Sequence, residues 1–265
     1  MPYKFYTDNL LYVCHKMISK SLIKWKIWMI NKKEESMTKQ IYFSTTFFSF
    51  LRDLSKNNNK EWFQDNKTRY QNDVRDPLLA FISDISSPLQ RISRHIIADP
   101  RPVGGSMFRI YRDIRFSKVK TPYKTNAGAQ FRHEAGKDVH APSFYLHLEP
   151  DHVFVGAGVW RPDTKILNKI RDAIVRESRQ WSTVIKGLNQ KSICTYNENT
   201  LKRAPKGYDP NHPFIEDLKR KDFAVMQEFT ESDAHSDKFM NIVLDSYKNS
   251  AKYMKFLTKA LELPF

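Results

Sequence analysis

A chain of 265 residues with 40% hydrophobic and 13% aromatic residues can bury a full core, as one domain or two, and its formal net charge of +15 points to an anionic partner, a membrane surface or a soluble basic surface. Cys14 and Cys194 are its two cysteines and form no CxxC, which excludes a disulfide framework and a cysteine zinc site and makes a reducing, cytoplasmic setting the default. The early apolar stretch, residues 9–30, is cut by Lys16, Lys20, Lys24 and Lys26, which excludes a secretory signal and an integral membrane segment of about 20 apolar residues.

In chain order, residues 1–36 carry Leu10, Leu11, Cys14, Met17, Ile18, Leu22, Trp25 and Met29 at near-helical spacing with lysines between them, a basic amphipathic pattern. They are expected to be an extension outside the fold, or the product of a start placed upstream of Met37, with residues 37–265 as a single domain. The extension contributes +4 and leaves +11 to the rest, so the basic character belongs to the domain. Thr45 or Thr46 is placed to cap a first helix with Phe47, Phe48, Phe50, Leu51 and Leu54. Asn57, Asn58 and Asn59 break it and cap a second with Trp62, Phe63, Asn66, Tyr70 and Val74. Pro77 suits the first turn of a third, whose stripe runs through Leu78, Leu79, Phe81, Ile82, Ile85, Leu89 and Ile92.

From residue 107 to 160 the period changes to two. Residues 107–116 alternate Phe108, Ile110, Ile114 and Phe116 with Arg109, Tyr111, Asp113 and Arg115, which predicts a strand with Arg112 on its apolar face. Phe144, Leu146 and Leu148 predict a second strand, and Pro150 and Asp151 a turn into a third with Val153, Val155, Ala157 and Val159. Gly156 and Gly158 in that third strand predict a bulge or a close backbone approach. Asp163 starts a helix with Ile166, Leu167, Ile170, Ile174 and Val175. Residues 186–208 are expected to be loop-rich, 223–229 a strand and 237–261 a closing helix. Helices, a hairpin-connected sheet and more helices predict an α+β fold: an antiparallel sheet packed against N-terminal and C-terminal helices.

The chemistry concentrates in residues 109–124, where basic side chains crowd around the single acid Asp113. Arg109, Arg112, Arg115 and Lys120 predict an anion site, with Asp113 and Tyr123 in support; arginine forks match phosphate and carboxylate oxygens. A buried arginine–aspartate network that fixes the sheet is the structural alternative. Lys202, Arg203 and Lys206, followed by Tyr208 and His212 in a proline-stiffened loop, are a second candidate patch.

The run Arg109-x-x-Arg112-Asp113-x-Arg115-Phe116, continuing to Lys120-x-x-Tyr123, resembles the signature of the family catalogued as domain of unknown function 2461. Asn57-Asn58, Glu61-Trp62-Phe63, Lys67-x-x-Tyr70, the segment from Lys202 to Pro213 and Leu218 to Phe223 are similar to that family's other characteristic segments, over about residues 41–263. The resemblance implies a fold and a functional region without a reaction. That family usually has Asp or Asn immediately before the signature lysine, where this chain has Val119, which implies one polar contact fewer.

No GxSxG, P-loop, GxGxxG or kinase signature is present, and no cofactor is expected. The histidines form no HxH or HExxH pair, so no metal site is expected; His147 and Glu149, on one strand face, are the strongest residual pairing. The expected partner is a phosphate-bearing small molecule or nucleic acid, for which Tyr111, Phe116 and Tyr123 alternate with basic residues. In the enzymatic alternative, acting on a phosphorylated or nucleotide substrate, Asp113 or Glu149 is the acid or base and Tyr123 a proton donor.

Overall fold

The computed structural model describes residues 40–136 and 141–265; the amphipathic pattern of residues 1–36 lies outside them. Helix α1, Thr45–Lys56, buries Phe47, Phe48, Phe50, Leu51 and Leu54 on one side. The residue in the N-cap position is Ser44, one ahead of the expected threonines. Asn59 caps α2, Lys60–Asp65, by accepting the Trp62 amide at 2.9 Å. α3, Lys67–Tyr70, runs through a π-helical turn, Gln71–Arg75, directly into α4, Asp76–Ile92, with a proline in its first turn as the sequence predicts.

Six strands follow among the described residues: β1 Ile96–Ile97, β2 Ala127–His133, β3 Ser143–Glu149, β4 His152–Val159, β5 Cys194–Thr195 and β6 Phe223–Phe229. They form one antiparallel sheet in the order β1-β2-β3-β4-β6-β5. Between β4 and β5 lie α5, Thr164–Arg176, and α6, Ser178–Asn189. Asp163 caps α5 by accepting the Ile166 amide at 2.8 Å. α7, Ile215–Lys219, precedes β6, and α8, Glu231–Ala234, leads into the closing helix α9, Phe239–Ala260. The fold is therefore α+β, with an antiparallel sheet and helices on its N- and C-terminal sides.

Period-two alternation assigns the two faces of the sheet. Phe144, Leu146, Leu148, Val153, Val155 and Ala157 are buried, and Phe144 stacks on Tyr247 of α9 at 4.4 Å. The Tyr247 hydroxyl donates to the Tyr145 carbonyl at 2.9 Å and ties helix to strand. Phe43, Phe81 and Phe239 join the N-terminal helices to α9 in one aromatic cluster. Burying each such ring is worth about 2–3 kcal/mol, which makes this layer the main source of cohesion. The opposite face of β3 and β4 carries Tyr145, His147, Glu149, His152 and Phe154, none with the fully apolar surroundings of the first face.

One sequence expectation needs correction. Residues 107–116 are not a strand: Met107 bridges Ala129 of β2, whereas Tyr111 bridges Tyr123 farther along the same segment, so the alternation is divided between two isolated bridges. The apolar face expected there does not form, since Phe116 is 96% exposed. Residues 186–208 are loop-rich as expected, although they begin inside α6, whose Trp181, Val184 and Leu188 are buried, and include β5. Gly158 sits at φ 131°, and a Cβ there would lie 2.0 Å from the Phe223 carbonyl oxygen, so this glycine serves the close approach of β6.

Candidate functional site

The signature segment is a doubled-back loop on the edge of β2. It leaves the sheet where the Phe108 amide donates to the Gly128 carbonyl at 2.9 Å, then folds on itself through Arg112 N to Pro122 O at 2.9 Å and Lys124 N to Ile110 O at 2.8 Å. Its foot is anchored to the helices. The Asn58 side chain accepts from the Tyr123 amide and donates to the Tyr123 carbonyl, both at 3.0 Å, imitating a strand neighbour. The Tyr123 ring, buried, stacks on Phe63 at 4.1 Å, and burial pushes its hydroxyl pKa up. The asparagine and Glu-Trp-Phe segments noted in the sequence are thus the clamp that holds this loop.

Above the foot, the predicted cations other than Arg112 face outward. Arg112 is half-buried and satisfied inside the loop, donating to the Thr121 hydroxyl and to the Ser117 hydroxyl at 3.5 Å. Arg115 donates to both oxygens of Asp113, at 3.0 and 2.7 Å, while its side chain remains 76% exposed. That guanidinium holds the Asp113 carboxyl down to about 2. A depressed acid keeps its pairing above the ordinary carboxylate range and loses it only as pH falls through about 2, so the pair is intact at neutral pH. Lys120 donates to the Ile114 carbonyl at 3.0 Å, and Lys124 to the Arg109 carbonyl at 2.8 Å. Burial, and after it the charge of Arg109, lowers the Lys124 pKa, so these cations share a local positive field. Arg109, Lys118 and Lys120 are exposed, as is Val119, whose amide donates to the Ser117 hydroxyl at 3.2 Å.

Of the acid–base candidates, Asp113 and Tyr123 belong to this loop and Glu149 does not. Glu149 accepts from the Thr125 hydroxyl at 2.8 Å, and its other oxygen lies 3.2 Å from His147 Nε2. The Tyr145 hydroxyl meets His147 Nδ1 at 2.9 Å, the Asn126 amide lies 3.4 Å from both ring nitrogens, and Phe154 stacks on the imidazole at 4.6 Å. Burial pulls the His147 pKa down, against the opposing pull of Glu149, and pushes the Tyr145 hydroxyl up to about 12. His152, across the turn, brings a third donor to this group. Its position opposite Glu149 across a two-residue turn is the signal in the sequence that points to it.

Lys202 and Arg203 are exposed, in a loop where Tyr208 donates to Asp172 at 2.8 Å and His212 Nδ1 accepts the Phe214 amide at 3.1 Å. In the neighbouring Leu218 to Phe223 segment, Leu218, Arg220, Asp222 and Phe223 are buried. Arg220 is 1% exposed, donates to the Ala224 carbonyl at 2.8 Å and lies 5.2 Å over the Phe223 ring. Asp222, also buried, accepts the Arg161 amide at 2.6 Å and the Asn199 amide at 3.1 Å. No helix of the described residues is long and apolar enough to cross a membrane.

Residues 46–256 match the model of a family described as conserved hypothetical protein (DUF2461). No curated protein matches the chain. The matched span contains both the doubled-back loop and the His147 group.

Proposed function

This chain belongs to the DUF2461 family of conserved hypothetical proteins, and we propose that it binds phosphate-bearing ligands through the displayed cations of residues 109–120, single-stranded nucleic acid being the class that fits best. The supporting observation is the contrast within the loop: its foot is locked by Asn58 and Phe63, while Arg109, Arg115, Lys118 and Lys120 stand in solvent. Such cations reach a phosphate without first leaving a buried partner, and a fixed foot lowers the entropy lost on binding. Phe116, almost wholly exposed among them, offers a face on which a base can stack, and phosphate neutralisation with stacking is how sequence-tolerant single-strand binders work.

Binding fits the loop better than catalysis because Asp113 is paired with Arg115 and Tyr123 is packed against Phe63, so neither is poised to move a proton. The test is a titration of a labelled single-stranded oligonucleotide over a series of salt concentrations. Four cations predict that log K falls with log salt at a slope of about −2 to −3. No binding at low salt, or binding indifferent to salt, would sink the reading.

A further inference from the structure

We propose that His147, Glu149 and His152 form a binding site for a borderline first-row divalent metal ion, with Zn²⁺ or Co²⁺ as its natural probes. The hairpin brings the three together. Glu149 and His152 are the last cross-strand pair of β3 and β4, closed by Pro150 and by Asp151 at φ 62°, and His147 lies two residues back on the same face. Cross-strand neighbours lie about 5 Å apart and diagonal ones about 7–8 Å, within reach of imidazole and carboxylate side chains. One donor atom from each residue accordingly lies within 4.8 Å of the others. His147 Nε2 and the nearer Glu149 oxygen, at 3.2 Å, already have the separation of two ligands on one small ion, roughly 3.3 Å for bonds of about 2.0–2.1 Å.

The surrounding contacts orient the donor atoms toward one point. Nδ1 of His147 meets the Tyr145 hydroxyl, which can accept its proton and so directs the Nε2 lone pair toward Glu149. The second Glu149 oxygen is occupied by Thr125, so the first turns to the same point. Phe154 fixes the imidazole plane by stacking. His147 is buried, and His152, exposed, leaves the site reachable from solvent. Two imidazoles and one carboxylate favour zinc, cobalt, nickel or ferrous ion over magnesium and calcium, and three protein donors leave positions open for water or ligand. Thr125 and Asn126 end the return leg of the doubled-back loop, so an ion would sit at that loop's foot. The proposal stands on the hairpin alone and does not require the loop to bind phosphate.

The experiment is a Co²⁺ titration of the full chain after dialysis against a chelator, read by visible absorption. One equivalent of Co²⁺ is expected, displaced by one of Zn²⁺. His152→Ala and Glu149→Gln should each weaken binding by at least about a hundredfold, and Thr125→Val, which acts through Glu149, by about tenfold. Because His152 is exposed, the metal-free His152→Ala protein should melt with the parent, which separates a lost ligand from a lost fold. His95→Ala should bind as the parent does. The proposal is overturned if the parent gives no Co²⁺ band, if His152→Ala and Glu149→Gln bind like the parent, or if His95→Ala is the variant that loses the ion.

Discussion

Arg115 and Arg220 each follow an aspartate by two or three residues, and each guanidinium approaches that carboxylate, yet the two regions use the pair in opposite ways. Arg115 grips Asp113 at 2.7 and 3.0 Å in open solvent. Arg220 stands 3.5 Å from Asp217, but it is enclosed by the Ala224 carbonyl, the Phe223 ring and the segment that Arg171 pins through the Leu218 and Arg220 carbonyls. Moving from water to a protein-like effective dielectric strengthens the same Coulomb attraction about fourfold and makes an unpaired charge costly. The buried arginine is thereby committed to holding β6 and α7 in place. The solvated one costs the fold little to lend to a ligand.

The largest expected effect that sharpens this contrast is Arg220→Ala, which should destabilise by about 3–5 kcal/mol in a urea melt, since it empties a packed site and leaves Asp217 without its cation. Asn58→Ala should cost about 2 kcal/mol, two hydrogen bonds to the Tyr123 backbone, and should also weaken oligonucleotide binding by loosening the loop's foot. Phe116→Ala should leave the melt untouched and weaken oligonucleotide binding about tenfold, the loss of one stacked base. The smallest effect is that of Asp113→Asn: releasing Arg115 and adding one net positive charge should steepen the salt slope by about one unit without lowering affinity. A loss of binding on that substitution would mean that Asp113 meets the ligand instead of orienting Arg115.

The sheet and closing helix were legible because their periods are strong: Phe144, Leu146 and Leu148 alternate cleanly, and α9 repeats Phe239, Val243, Tyr247 and Met254 on one side. β2 was not, because Ala127, Gly128 and Ala129 carry little strand preference. Glycine suits position 128, since a Cβ would lie 2.9 Å from the Tyr145 hydroxyl and 3.0 Å from the Leu146 carbonyl oxygen. The signature segment misled in the other direction. Its alternation looks like a strand, but Asn58 occupies the place a neighbouring strand would take, and the cations crowd into the tip. That these residues cluster was readable, whereas their exposure was not, because exposure depends on contacts from residues 58 and 63, more than fifty-nine positions before the Tyr123 they hold. Buried Arg171 and Arg220 look like ordinary surface cations in sequence for the same reason: what encloses them includes backbone carbonyls, which no side-chain pattern reveals.

The measurement that tests the central claim most directly joins both properties in one variant, Arg115→Ala with Lys120→Ala, followed by thermal melting and by oligonucleotide titration at two salt concentrations. Display of these cations for phosphate predicts an unchanged melting midpoint together with weaker binding and a salt slope shallower by about 1.4 units. A variant that binds as the parent does, or whose midpoint falls while the salt slope stays the same, would contradict the account and return these cations to a purely structural role.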